Sequence, residues 1–161
     1  MGLRYIIAAR LHLLHRWSCP WVSDAPPKPA WRGEYGELAA ASWARSQGWR
    51  VLRQRFRRGH GGEVDLVCRD GDTLVFAEVK STLSQTSGSA ARRVNREKRM
   101  LIRRGARNWL RLLGREVPYR FDIIELYLPA GARPQITHYP AAFAMKEGEH
   151  LPLQGQRAGG V

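Results

Sequence analysis

Two apolar runs, residues 63–68 and 73–80, flank Asp70-Gly71, and this short stretch constrains the fold more than any other part of the chain. Runs of this length rich in Val, Leu and Phe read as strands, and an Asp-Gly pair between them is a hairpin signal. Taking Asp70 and Gly71 as the loop residues pairs Arg69 with Asp72. Counting outward sets Asp65 against Phe76 and Glu63 against Glu78. Side chains two apart share a face. Glu63, Asp65, Glu78 and Lys80 therefore fall on one face of two adjacent strands. The inference depends on register, because a slip of one residue sends the two charged sets to opposite faces.

Such a face is costly. Opposed positions have Cβ atoms about 5 Å apart, and like charges there repel. Three carboxylates on an apolar hairpin need cationic company. Lys80 supplies one charge, and a divalent metal is the natural supplier of the rest. Hard cations such as Mg²⁺ take oxygen ligands: one or two carboxylates, waters and a substrate phosphate. A metal so held activates water and neutralises charge on a phosphoryl group in transit. A neighbouring Lys can orient that water or stabilise the oxyanion. The bland alternative is a structural ion-pair cluster at a sheet edge. Asp65 and Glu78 against Lys80 alone leave a charge unbalanced, which favours the metal.

The rest of the chain alternates helix and strand. Residues 34–47 are Ala-rich, with Leu38 and Trp43, and Gly48 is a helix stop. Residues 49–56 alternate apolar and basic side chains and predict a strand; 57–62 predict a basic, Gly-rich loop. Residues 94–113 predict a helix with an apolar stripe of Leu101, Ile102, Ala106, Trp109, Leu110 and Leu113. Residues 120–128 predict a strand, and 135–139 a short last one. The order is α-β-β-β-α-β(-β): an α/β class with a mixed sheet of four to five strands flanked by helices. Residues 1–32 read as an N-terminal amphipathic helix and a Pro-rich linker, 33–140 as the folded domain, and 141–161 as a flexible tail.

Charge bears on partners. Lys and Arg total 27 against 14 acids, a formal net charge of +13. Such a field attracts polyanions, nucleic acid above all. An Arg-rich genome inflates this kind of number, and Arg does dominate here. Placement is more telling: Arg55, Arg57 and Arg58 cluster beside the hairpin, and Arg99 and Arg103 line the later helix with Lys98. These are the expected phosphate contacts, DNA being the expected partner. Arg4, Arg10 and His12 interrupt the apolar N-terminus, so neither a secretory signal nor a membrane span of about 20 residues is predicted. Cys19 and Cys68, well separated, make no disulfide framework or zinc spacing, which fits a reducing cytoplasm.

The ordered set Gly33-x-x-Gly36-Glu37-x-x-Ala40, Gly62-Glu63-Val64-Asp65-Leu66-Val67, Leu74-Val75-Phe76-Ala77-Glu78-Val79-Lys80, Lys98 and Arg120-Phe121-Asp122 resembles the YraN family. That bacterial family is placed in the PD-(D/E)xK nuclease superfamily and is similar to archaeal Holliday-junction resolvases. The resemblance implies a restriction-endonuclease-like core and a metal-dependent endonuclease using Mg²⁺ or Mn²⁺. It implies that Asp65 and Glu78 hold the metal with the Val79 carbonyl, that Lys80 is catalytic, and that Glu37 assists. It also implies a homodimer if the substrate is a four-way junction. Glu63 has two readings, an auxiliary site residue or an ion-pair partner for Arg57 or Arg58. Three departures from the family pattern touch the substrate rim: Arg55 stands where Asn is frequent, the 57–62 loop is about a residue long, and Ser81 and Thr82 stand where a basic residue often follows. The expected function is hydrolysis of DNA phosphodiesters, branched or single-stranded. The alternatives are a non-catalytic nucleic-acid-binding module on the same scaffold, or an adaptor docking through the N-terminal segment.

Overall fold

The structure is a computed structural model that describes residues 29–58, 61–83, 94–129 and 134–146. The elements run α1 (Pro29–Ser46), β1 (Arg50–Arg58), β2 (Gly62–Asp70), β3 (Thr73–Thr82), α2 (Arg96–Leu113), β4 (Tyr119–Tyr127) and β5 (Gln135–Phe143). The strands form one sheet in chain order. β3 and β4 pair in parallel and the other neighbours pair antiparallel. This is the α/β mixed sheet, with the element order, that the sequence predicts. The expected N-terminal amphipathic helix, most of the Pro-rich linker and the tail beyond residue 146 lie outside the described residues.

Three boundaries move. α1 starts at Pro29, inside the stretch read as linker. Proline suits a helix's first turn, where its missing N–H costs nothing. β1 runs to Arg58, so Arg57 and Arg58 are strand residues rather than loop. β5 runs to Phe143, so residues 141–143 belong to the sheet rather than to a tail.

The helices cover opposite faces. α1 lays Ala40, Ala41 and Ala44, all fully buried, against Leu66, Val75, Ala77, Ile124 and Leu126. Small side chains let this helix come close, and Gly36 comes closest: a Cβ there would stand 1.9 Å from Ser81 Oγ on β3. α2 buries Ile102 and Ala106 against Val64, Val67, Phe76, Phe121 and Ile123. Asn95 caps it, its side chain accepting the backbone N–H of Lys98 at 2.8 Å. Gly114 closes it with φ 67°.

A buried polar knot fastens β5. Asp122 is fully buried and lies within hydrogen-bond distance of Arg120 Nε at 3.0 Å and His138 Nε2 at 2.8 Å. It also accepts the backbone N–H of Ala141 at 2.9 Å. That N–H lies in a bulge where β5 carries extra residues opposite Phe121 and Ile123, and Ala141 has φ 48°. One carboxylate thus satisfies an irregular edge that no ladder could. Asp122→Ala strands these donors, and a loss of about 3 kcal/mol is expected in urea denaturation. An unchanged midpoint would show that the knot contributes nothing.

Candidate metal centre

The hairpin turns one residue later than the sequence count implies. Asp70 pairs with Thr73, Cys68 with Val75 and Leu66 with Ala77. The loop is therefore Gly71-Asp72, with Gly71 at φ 56°, the glycine-favouring region. The register differs from the count by two residues, an even number, so every side chain keeps its face. The consequence is large. In this register Asp65 stands level with Glu78 rather than with Phe76, and Glu63 is not opposite Glu78.

The β2–β3 ladder stops just there. Leu66 and Ala77 form its last pair, while β2 stays paired with β1 as far as Gly62 and β3 with β4 as far as Thr82. The two strands part like a fork. At the crotch the Val79 N–H donates to Asp65 Oδ2 at 2.8 Å, a side chain replacing a ladder carbonyl. β1 is irregular at the same level. Ladder pairs lie on either side, at Gln54 with Leu66 and Phe56 with Val64, but Arg55 is skipped and has φ 49°. Alternation breaks in β2 as well: Val67 and Val64, three apart, both lie under α2. An Arg in the left-handed region is uncommon, whereas Asn tolerates it. The Asn that the sequence resemblance leads one to expect at this position would suit this backbone better.

Glu78 is the centre of the site. Its side chain is 1% exposed and stands between two ammonium groups. Lys80 Nζ lies 2.7 Å from Oε1 and Lys98 Nζ lies 3.2 Å from Oε2. Lys98 also lies 3.8 Å from Asp65 Oδ1 and 4.0 Å from Glu63 Oε2. Glu63 is tied by its other oxygen to Arg57 at 2.7 Å. So the expected Glu63–Arg57 pair exists, and Glu63 still borders the acidic group. Glu37 arrives from α1 on the other side of the sheet and accepts from Arg55 Nε at 2.5 Å. No contact joins it to Asp65 or Glu78 among the described residues.

The basic residues sort differently from expectation. Lys98, expected at phosphate, faces the acids instead. Arg103 is 8% exposed and donates to the Ala144 carbonyl at 2.9 Å. Arg99 donates to the Val94 carbonyl, and both guanidinium groups lie 5.5 Å over Phe143. Arg99 and Arg103, expected at phosphate, thus brace the end of β5 against α2. β1 carries five exposed arginines in nine residues, and α2 exposes Arg96, Arg104 and Arg111. Arg53, Arg55, Arg57 and Arg58 line a shallow depression with Leu52, Phe56 and Trp109.

The titration of the site follows from burial. Desolvation, and then the Asp65 carboxylate, push the Glu78 carboxyl up to about 7 against the efforts of Lys80 and Lys98. Burial also opposes ionisation of Glu63, but the Arg57 hydrogen bond and the Lys98 ammonium outweigh it and hold that carboxyl below its ordinary value. Burial disfavours the charged Lys98, yet Asp65, Glu78 and Glu63 outweigh it and raise that group. The sign for stability is clear. Folded Glu78 keeps a proton that the unfolded chain releases near 4.5, so its contribution is full below 4.5 and declines as pH climbs to about 7. Thermal melts in EDTA are expected to show that decline, and Glu78→Gln is expected to flatten it. An equal slope in both proteins would refute the assignment.

The residues fit a divalent cation. The donors are oxygens, the set that hard cations take. Glu78 Oε2 is buried at the crotch of the fork and, beyond the Lys98 ammonium 3.2 Å away, has no partner. No three carboxylate, imidazole or thiolate groups among the described residues cage a cation unaided. Mg²⁺ does not require this, since waters and substrate phosphate complete its shell.

The sequence matches a known family over this core. Residues 36–126 match the profile of UPF0102, described as an uncharacterised protein family. A UPF0102 protein of Anaeromyxobacter dehalogenans is 41% identical over 112 residues, covering 69% of this chain and 82% of that protein. One from Rhodococcus jostii is 38% identical over 112 residues, covering 69% and 94%. The chain belongs to the UPF0102 family. This is the family that the motif set resembles, under its other name. The match spans the fork, from Gly36 on α1 to Leu126 on β4, and so includes every candidate acid of this UPF0102 chain.

Proposed function

We propose that this UPF0102 chain is a metal-dependent endonuclease acting on phosphodiester bonds of DNA, with branched and single-stranded forms the first candidates. The observation that carries the reading is Glu78: a buried carboxyl at the mouth of a strand fork, level with Asp65 and flanked by Lys80. Burying two acids together is expensive, and a fold keeps them only where their charge is used.

Asp65, Glu78 and the Val79 carbonyl are the residues that would hold Mg²⁺ or Mn²⁺. Bound there, the ion would acidify a water and neutralise charge on the scissile phosphate. The chain's own side chains do the rest. Lys80 is placed by its contact with Glu78 to hold the attacking water and then the oxyanion. The Asp65–Val79 hydrogen bond fixes the Asp65 carboxylate without a rotamer search. The β1 arginines give the DNA backbone a cationic edge beside the fork. Base recognition is absent from this account, so selection rests on shape and charge.

One observation favours the competing reading of a binding module without catalysis: each site acid already has a basic partner. A cleavage assay separates the two. Labelled single-stranded, duplex, flap and four-way-junction DNA would be incubated with the full chain in Mg²⁺, Mn²⁺ or EDTA. Cutting in metal and not in EDTA supports the nuclease. Binding to every substrate with no cutting in either metal supports the module.

A further inference from the structure

Three carboxylates of the site share a pattern. Each has one oxygen committed to a structural partner: Asp65 Oδ2 to the Val79 N–H, Glu78 Oε1 to Lys80, Glu63 Oε1 to Arg57. Each turns its other oxygen toward Lys98 Nζ, at 3.8, 3.2 and 4.0 Å respectively. The structural contacts are short, between 2.7 and 2.8 Å. The Lys98 contacts are not. A lysine evolved as a permanent clamp makes N–H···O⁻ bonds of about 2.7–2.9 Å. This ammonium instead stands among three carboxylates at ion-contact range, and its nearest oxygen has no other partner.

We propose that Lys98 is the resident counter-cation of the site: its ammonium occupies the space that a divalent metal takes, and it leaves when the metal binds. The inference rests on the metal-site reading above and adds a competitor to it. The oxygens facing Lys98 are those left over for coordination. A metal on Asp65 Oδ1 and Glu78 Oε2 would set a double positive charge against the ammonium, and the two repel. The exchange needs only side-chain motion. Asn95 fixes the Lys98 backbone N–H at the start of α2, while the four-carbon stem is free to rotate. In the absence of metal the ammonium keeps the acids from repelling one another. In its presence it is released beside the basic edge, where substrate phosphate would lie.

The test is calorimetric titration of Mn²⁺ into the full chain without nucleic acid, so that activity plays no part. Lys98→Met is expected to bind Mn²⁺ about tenfold more tightly than wild type, the size of an ordinary coupling between sites. Lys98→Arg keeps the charge and is expected to show no such gain. Lys98→Met combined with Asp65→Asn is expected to lose binding. Equal or weaker binding by Lys98→Met, with wild type still binding, overturns the exchange and leaves the metal site standing. No binding by either protein overturns both. Lys98→Met that unfolds in EDTA decides the matter by another route: folding restored by Mn²⁺, followed by circular dichroism, supports the exchange. Failure to refold at saturating Mn²⁺ overturns it.

Discussion

Asp65→Asn is expected to leave the protein folded and still able to bind DNA, yet to cut it about a thousandfold more slowly, the scale of losing a group that holds a catalytic ion. The two oxygens of Asp65 have separate roles, which makes this substitution informative. Oδ2 closes the strand fork by accepting the Val79 N–H, and an Asn carbonyl can accept the same bond. Oδ1 faces the ammonium of Lys98 and carries the charge that a metal needs. Asn keeps the first role and removes the second. Single-turnover cleavage in Mg²⁺, with thermal melting as the folding control, reads both. Asp65→Ala loses both roles and is expected to melt earlier as well. Asp65→Asn protein cutting at the wild-type rate would end the proposal that this residue holds the metal.

The second large effect is on stability, at Gly62. β2 and α2 meet there backbone to backbone. A Cβ on Gly62 would stand 2.6 Å from the Gly105 nitrogen and 2.8 Å from its Cα. No side chain can swing away to relieve that clash, so the helix itself must shift. Gly62→Ala is expected to cost about 3 kcal/mol, as overpacking of a tight core does. Gly105→Ala pushes from the other side, meeting Val64 Cγ2 at 2.8 Å. Gly33 is the control: nothing lies within 4 Å of its Cβ position on α1. Alanine there is expected to be neutral or to stabilise by about 0.5–1 kcal/mol through helix propensity. Urea denaturation ranks the three. A Gly62→Ala midpoint equal to that of Gly33→Ala would refute the close approach. The approach matters for the site too, because it sets α2 at the height from which Lys98 reaches the acids.

How much of this was legible in the sequence depends on whether local or tertiary forces decide each part. The strand pair around Gly71, the long amphipathic helix and the element order are local patterns, and they were readable. The register was misjudged by two residues because Asp70-Gly71 suggests a turn as plausibly as Gly71-Asp72 does. The acids kept a common face only because the error was even. The kink at Arg55 was not readable, since Arg gives no hint of a positive φ. The burial of Arg103 was not readable, because an Arg on a helix normally meets solvent, whereas this one meets the end of β5, an element placed by long-range pairing. One further signal stands in the sequence. A glycine at position 105, in mid-helix, costs stability unless something comes close to it. Together with Gly62 it marks where α2 touches the sheet, and hence where Lys98 stands.

The hydrogen bond from Val79 to Asp65 also divides how the two acids can be lost over evolutionary time. If the proposed cleavage holds, a descendant without it would still need an acceptor for the Val79 N–H, so drift at position 65 is confined to residues such as Asn. Nothing in the backbone asks for Glu78, and a buried carboxyl without employment is a burden. An apolar residue there would relieve it. In an idle copy of this gene, decay would begin at Glu78 and its lysines and reach Asp65 last, leaving a lone amide at the fork as the fossil of the chemistry.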